Sequence, residues 1–424
     1  MKFAICNLGC KVNNFEANWY GQQLSQKYDE VDFKELADIY VINSCTVTNM
    51  AGSKSRQMIH QARKRNPQAV IVAIGCYVQM EFTNSEIFRD CDILIGSKNK
   101  KKLPEYIDQY LKDHKRIIDV EDFEVCEFEE MFISHFNQTR AYLKIQDGCN
   151  QFCSYCTIPL ARGRERCLGE ERVLAQASKL VESGHQEIVL TGIHTGRWHD
   201  GERDLTDLIK HLLDEIPGLK RIRLSSIEMT EVSDKLIELM VCDQRVARHL
   251  HIPLQTGTDR LLKLNNRPYT TEQYRKRIEE IRQRIPDISL SSDIIAGLPT
   301  ETDQEHQETM QFIADCRLSF LHVFPYAKKE HTYDSTLKQV PEIIKKQRAA
   351  SLTKLSEQLY NEYISSFIDQ DVEVLFERYD EGLLKGHCSQ YINVEVRSES
   401  NLTHQIHSVH IDSIIGDKLI GHLK

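Results

Sequence analysis

A chain of 424 residues, 41% hydrophobic and 28% charged, exceeds one ordinary core and is too apolar for a disordered or fibrous class, so two or three packed domains are expected. The formal net charge of −9 argues against bulk attraction to nucleic acid and leaves only local patches for that purpose. No run of about eighteen apolar residues predicts a membrane span, and the first ten residues lack the long apolar stretch of a secretory signal, which points to the cytoplasm. Thiols stay reduced there, so thirteen cysteines read as metal or cluster ligands before disulfides.

From Lys2 to about Lys112 short apolar runs alternate with amphipathic segments. Residues 2–6, 39–43, 69–74 and 93–95 read as strands with helices between them, the pattern of a parallel α/β sheet covered on both faces. Ligands of such sheets collect beyond the carboxyl ends of the strands. Cys10, Cys45 and Cys76 each follow a different strand by a few residues, in Leu8-Gly9-Cys10, Asn43-Ser44-Cys45-Thr46 and Ile74-Gly75-Cys76, and form a candidate ligand triad at one sheet edge. Cys6, Cys91 and Cys126 lack that placement and read as structural. The acidic stretch from Glu121 to Glu130 has no periodicity. It suggests a linker over residues 117–138, after an N-terminal domain of residues 1–116.

A second alternating region spans residues 139–366. Residues 141–145, 187–191, 221–225, 249–252, 288–294 and 320–324 read as six strands separated by helices, an open (β/α)6 barrel. A long helix is predicted over residues 341–367, with Pro341 in its opening turn. The period then changes to two. Residues 372–376, 383–388, 392–396, 405–410 and 418–422 are short strands, so residues 367–424 read as a small β-barrel.

Cys149, Cys153 and Cys156, spaced C-x3-C-x2-C, fall directly after the first strand of the (β/α)6 region. Three thiolates on one loop can hold three corners of a four-iron, four-sulfur cluster, and the missing fourth ligand leaves one iron open to a small molecule. Zinc is the competing metal, but it usually takes four local ligands and no fourth is obvious; Cys167, close in sequence, is left out of the set.

The run Cys149-Asn150-Gln151-Phe152-Cys153-Ser154-Tyr155-Cys156 resembles the signature of the radical S-adenosylmethionine enzymes, including the aromatic residue, Tyr155, before the last cysteine. The order of cysteine-bearing domain, radical core and terminal barrel is similar to the methylthiotransferases, whose last module is the RNA-binding TRAM barrel. Further matching stretches are Ala161-Arg162-Gly163-Arg164, His251-Ile252-Pro253-Leu254-Gln255, Ser292-Asp293-Ile294-Ile295-Ala296-Gly297 and His322-Val323-Phe324-Pro325-Tyr326. Gly9-Cys10-Lys11-Val12-Asn13 and the Asp147–Cys156 stretch look most like the branch that acts on N6-threonylcarbamoyladenosine in tRNA. One departure is His331, in a stretch where the family commonly has a glycine.

The resemblance implies two 4Fe-4S clusters, one on Cys149, Cys153 and Cys156 and one on Cys10, Cys45 and Cys76, together with S-adenosylmethionine. The first cluster would start the radical; the second would carry the sulfur that becomes a methylthio group at C2 of the modified adenosine 37. Tyr155, Thr191, Gly192, Ser225, Ser226, Asp293 and Gly297 are the candidate S-adenosylmethionine contacts, as polar or glycine positions near strand ends. No catalytic residue is assigned beyond the cluster ligands; His194, His251 and His322 could line the cavity, but hydrogen abstraction needs no general base. The implied partners are the tRNA anticodon loop, where a base unstacks at least cost, and an electron donor such as flavodoxin or ferredoxin.

The terminal barrel carries five Lys or Arg against ten Asp or Glu, so RNA contact there needs a local face, with Lys385, His387, Tyr391 and Asn393 as candidates. Arg162, Arg164 and Arg166, beside the cluster loop, are the better phosphate candidates, ahead of the basic runs at residues 54–65 and 98–102. The alternatives are a methylthiotransferase for isopentenyladenosine tRNA or for a ribosomal-protein side chain, or a non-catalytic iron–sulfur RNA-binding protein.

Overall fold

The computed structural model describes residues 1–46, 49–84, 86–123 and 127–424; Cys126, read as structural, lies outside them. Six parallel strands form the N-terminal sheet: β1 (Lys2–Asn7), β2 (Asp29–Glu30), β3 (Ile39–Ser44), β4 (Val70–Gly75), β5 (Ile93–Ile95) and β6 (Ile117–Asp119), in the order β2-β1-β3-β4-β5-β6. Every residue of β3 and β4 is buried, as a sheet covered on both faces requires. The edge strands β2 and β6 were not expected from the sequence, being two and three residues long with no buried apolar run. β6 lies past the 116/117 boundary read from the sequence, because the backbone still pairs with β5 from Ile93↔Ile117 to Ile95↔Asp119.

Leaving aside two-residue strands, the next six are β7 (Ala141–Lys144), β8 (Glu187–Thr191), β9 (Arg221–Leu224), β10 (His249–His251), β11 (Ser289–Ala296) and β12 (Phe320–Pro325). They form two parallel three-stranded sheets, β9-β8-β7 and β10-β11-β12, joined by the bridge Ile222↔Val246. This is the open (β/α)6 arrangement expected. Helix α1 (Lys11–Leu24) packs on both β1 and β7, so it is sandwiched between the first sheet and the barrel. That placement explains why Asn13, Glu16 and Asn18 are buried along with its apolar residues: they face protein on both sides.

Helix Glu342–Ser365 starts directly after Pro341 and lies against β11 and β12. The chain ends in a closed barrel of β13 (Asp371–Asp380), β14 (Leu383–Cys388), β15 (Asn393–Arg397), β16 (Ile406–Ile415) and β17 (Lys418–Leu423), ordered β13-β14-β15-β17-β16. Alternate residues such as Val374, Phe376, Val394, Val396, Val409 and Ile411 fill its own core. It docks on the (β/α)6 barrel through arginines. Arg221 donates to the Glu373 carbonyl at 2.9 Å, and Arg223 to the Ser389 and Cys388 carbonyls at 2.9 and 3.1 Å.

Candidate functional site

Off the carboxyl ends of the neighbouring strands β1, β3 and β4 come three cysteines. Cys10 precedes the first turn of α1, Cys45 follows β3 by one residue, and Cys76 opens helix Cys76–Glu81 directly after β4. Ser44 and Gly75 are register partners, so Cys45 and Cys76 leave their strands at the same level. Gly75 has φ 105°, and a Cβ there would stand 2.9 Å from the Ser44 carbonyl oxygen, so only glycine makes this turn. Asn13 ties the set together: its amide donates to Asn43 Oδ1 at 3.2 Å and to the Ser44 carbonyl at 3.1 Å, and its Oδ1 accepts from the Cys10 thiol at 3.4 Å.

The second triad sits on the loop after β7. Gly148, with φ 71°, runs so close to the Arg164 carbonyl that a Cβ would overlap it, and the Cys149 amide donates to the Gly163 carbonyl at 3.1 Å. All three residues are half-buried and each sulfur meets a nitrogen: Gln151 N–H and His194 Nδ1 at Cys149 (3.4 and 3.5 Å), Arg267 Nη1 at Cys153 (3.5 Å) and Ile158 N–H at Cys156 (3.4 Å). His194 is held on its other side by Glu231 at 2.7 Å, and Arg267 by Glu228. Burial pushes the Cys156 thiol up to about 12, with Cys153 adding to the effect, so binding iron here must displace protons.

Between the triads lies a buried ion network. Glu16 of α1 pairs with Lys100 (2.5 Å), Lys144 (3.0 Å) and Arg162 (3.1 Å), and Asp147 pairs with Lys144 (2.7 Å), Arg162 (3.1 Å) and Arg166 (3.3 Å). Burial alone would raise the Glu16 carboxyl, but Arg162, Lys100 and Lys144 hold it well below the usual carboxylate range. Arg162 also donates from Nε to Cys76 Sγ at 3.1 Å and from Nη2 to Asn13 Oδ1 at 3.0 Å. One guanidinium therefore touches a cysteine of the first triad and the carboxylate two residues before Cys149.

These donor sets suit iron–sulfur clusters. A cluster held by three thiolates is anionic, and the network beside Cys76 carries four cations against two carboxylates. Among the described residues no group of three or more His, Cys, Asp or Glu converges as a single metal ion would require. A cluster does not need that convergence, since each thiolate takes a different iron.

The structure corrects part of the sequence reading. Arg162 is 1% exposed and Arg166 9%, both paired inside the network, so neither reaches an RNA phosphate. Lys100, from the basic run at residues 98–102, is equally buried. Arg164 is exposed and lies 4.3 Å over the Phe152 ring, and Lys385 is half-buried on β14. Cys167 is the register partner of Gln146 in a two-residue antiparallel pairing and lies near His199 at 3.8 Å.

Thr191-Gly192 and Ser225-Ser226 end the neighbouring strands β8 and β9, where Thr195 Oγ1 meets Ser225 Oγ at 3.0 Å and Gly192 packs on Gln146. Tyr155 stands half-buried within the cysteine loop. Asp293, midway along β11, pairs with His251 at 3.1 Å. Gly297 is set apart: its N–H is taken by Glu301 at 2.9 Å, and at φ 76° it packs against Lys345 of the long helix, so it is not presented to a ligand. His331 has φ 69°, a left-handed backbone conformation that favours glycine.

Two family models match the chain: the radical SAM superfamily over residues 143–313 and the uncharacterized protein family UPF0004 over residues 2–96. The threonylcarbamoyladenosine tRNA methylthiotransferase MtaB of Bacillus subtilis is 38% identical over 419 residues, covering 96% of this chain and 93% of the relative. Its counterpart in Aquifex aeolicus is 37% identical, covering 86% and 90%. Among solved structures, the radical S-adenosylmethionine methyltransferase TsrM of Kitasatospora setae aligns with a TM-score of 0.58 at 14% identity, covering 79% of this chain and 77% of that one, a likeness of fold alone.

Proposed function

Because the chain belongs to the radical SAM methylthiotransferases, in the threonylcarbamoyladenosine tRNA branch, we propose that it adds a methylthio group to C2 of N6-threonylcarbamoyladenosine at adenosine 37 of tRNA. Two separate cysteine triads joined through Arg162 are the observation that carries this reading. Cys149, Cys153 and Cys156 would hold one four-iron cluster and Cys10, Cys45 and Cys76 the other. When bound, the first supplies the electron that cleaves S-adenosylmethionine and the second the sulfur to be transferred.

The chain's own residues then have distinct tasks. His194 and Arg267 donate toward the sulfurs of Cys149 and Cys153 and are themselves oriented by Glu231 and Glu228. Thr191, Gly192, Ser225 and Ser226 end two neighbouring strands, where polar groups and open backbone suit a small polar ligand. Arg162, Glu16 and Asp147 fix the distance between the triads, which matters because a carbon radical must meet its sulfur before it is quenched. Residues 1–116, 117–138, 139–366 and 367–424 serve in this proposal as sulfur-bearing domain, linker, radical core and RNA-contacting barrel.

No helix of the described residues is long and apolar enough to cross a membrane. The proposal places the reaction in the cytoplasm, on the tRNA anticodon loop, with flavodoxin or ferredoxin as electron donor. Arg164 and Lys385 remain its RNA contacts. Mass spectrometry of tRNA nucleosides from cells lacking the gene tests it: the 2-methylthio derivative of threonylcarbamoyladenosine should vanish and its precursor accumulate, and an unchanged pool would refute it.

A further inference from the structure

Lys11 follows Cys10 at the start of α1 and is half-buried, yet its ammonium makes no hydrogen bond or ion pair with any described residue. The cations around it are all paired. Arg140 holds Glu377 at 2.8 Å, and Arg221 and Arg223 hold Glu187 at 3.1 and 2.7 Å. The charges that act on Lys11 are those of Tyr391, Arg140, Arg223 and Cys10, and its own charge is felt by His249 and His322. Asn14, one turn on, meets Gln138 at 3.5 Å, so Lys11 lies beside the first cysteine triad at the edge of the (β/α)6 barrel where Arg140 packs on Tyr391.

All three parts of the chain meet there. Tyr391, held at φ 68° in the turn between β14 and β15, has the guanidinium carbons of Arg140 and Arg223 each 5.0 Å from its ring centre, with the rings of His249 and His387 also at 5.0 Å. Tyr391 thus fixes the two arginines without neutralising them. Lys11, Arg140, Arg221 and Arg223 stand against two carboxylates, Glu187 and Glu377; Asp293, on β11, is taken by His251. A half-buried ammonium with no partner, among fixed cations, calls for an anion.

We propose that this junction of the three parts receives the N6 substituent of the target nucleoside and that Lys11 pairs with the carboxylate of its threonyl group. The inference rests on the reading that the substrate is N6-threonylcarbamoyladenosine. A backbone phosphate is the other anion an RNA could offer, but only the reacting base and its substituent need to reach as far in as Cys10. Arg223 has its donors engaged by Glu187 and the Ser389 and Cys388 carbonyls, and Arg140 is tied to Glu377, which makes Lys11, the cation without a partner, the pairing residue. A neutral alkyl substituent would leave it unpaired, so the same residue selects the acid.

The test uses the reconstituted holoenzyme and two anticodon stem-loops, one with threonylcarbamoyladenosine and one with its neutral threonine methyl ester, and reads affinity by fluorescence anisotropy. Wild type should bind the acid roughly tenfold or more tightly than the ester. Lys11→Gln should bring that ratio close to one while leaving ester affinity and iron content unchanged, and Lys11→Arg should keep most of it. A wild type that does not discriminate, a Lys11→Gln variant that still does, or one that weakens acid and ester equally as a phosphate contact would, each overturns the proposal. Methylthiolation of the acid stem-loop by the same wild-type preparation is scored separately: product without discrimination removes the Lys11 pocket and keeps the function, and discrimination without product does the reverse.

Discussion

Arg162 reaches Cys76, Asn13 and Glu16 on one side and Asp147 on the other, so one side chain joins two parts of the molecule that sequence order keeps far apart. Removing it leaves two buried carboxylates short of a partner. Arg162→Met should therefore lower the unfolding free energy by about 3–5 kcal/mol, and Arg162→Lys by less, as read by denaturant titration. A second buried carboxylate, Glu187, gives a prediction in pH. Burial alone would raise it, but Arg223 and Arg221 hold it down to about 2, against an ordinary 4.5. A depressed carboxyl contributes stability that is fully present above its unfolded pKa and is lost as pH falls through its folded one. Unfolding free energy should thus drop by up to about 3 kcal/mol between pH 4.5 and 2, and Glu187→Gln should flatten that segment of the curve.

At the scale of elements, the loop from Asp147 to Gly163 depends on Gly148, whose left-handed backbone and contact with the Arg164 carbonyl exclude a side chain. Gly148→Ala should cut reconstituted iron from about eight to about four per chain while sparing the N-terminal triad, an outcome that iron analysis decides. Such elements were largely legible beforehand. Strands β3 and β4 announce themselves by apolar runs, and the terminal barrel by its period of two, because burial on two faces or one leaves those patterns. β2 and β6 are too short and too exposed to do so. The ion network was not legible at all. Glu16, Lys100, Lys144, Asp147, Arg162 and Arg166 come from separate elements, and each alone resembles an ordinary surface charge; Arg162 and Arg166 read as phosphate contacts from their place beside the cluster loop. Only packing α1 between the sheet and β7 brings them together.

For the whole molecule, the arrangement divides labour between two incomplete ligand sets on either side of a buried, positively biased junction, with the terminal barrel closing the lumen through Tyr391 and the arginines around it. Loss of either set should have a different consequence. The most direct measurement follows both halves of the reaction at once: anaerobically reconstituted protein is given S-adenosylmethionine, a reductant and tRNA whose threonylcarbamoyladenosine carries deuterium at C2. Wild type should yield the 2-methylthio nucleoside together with deuterated 5′-deoxyadenosine. Cys153→Ala should yield neither, and Cys76→Ala should still cleave S-adenosylmethionine but form no methylthio product. Methylthio product from Cys76→Ala, or 5′-deoxyadenosine without deuterium from wild type, would contradict the account.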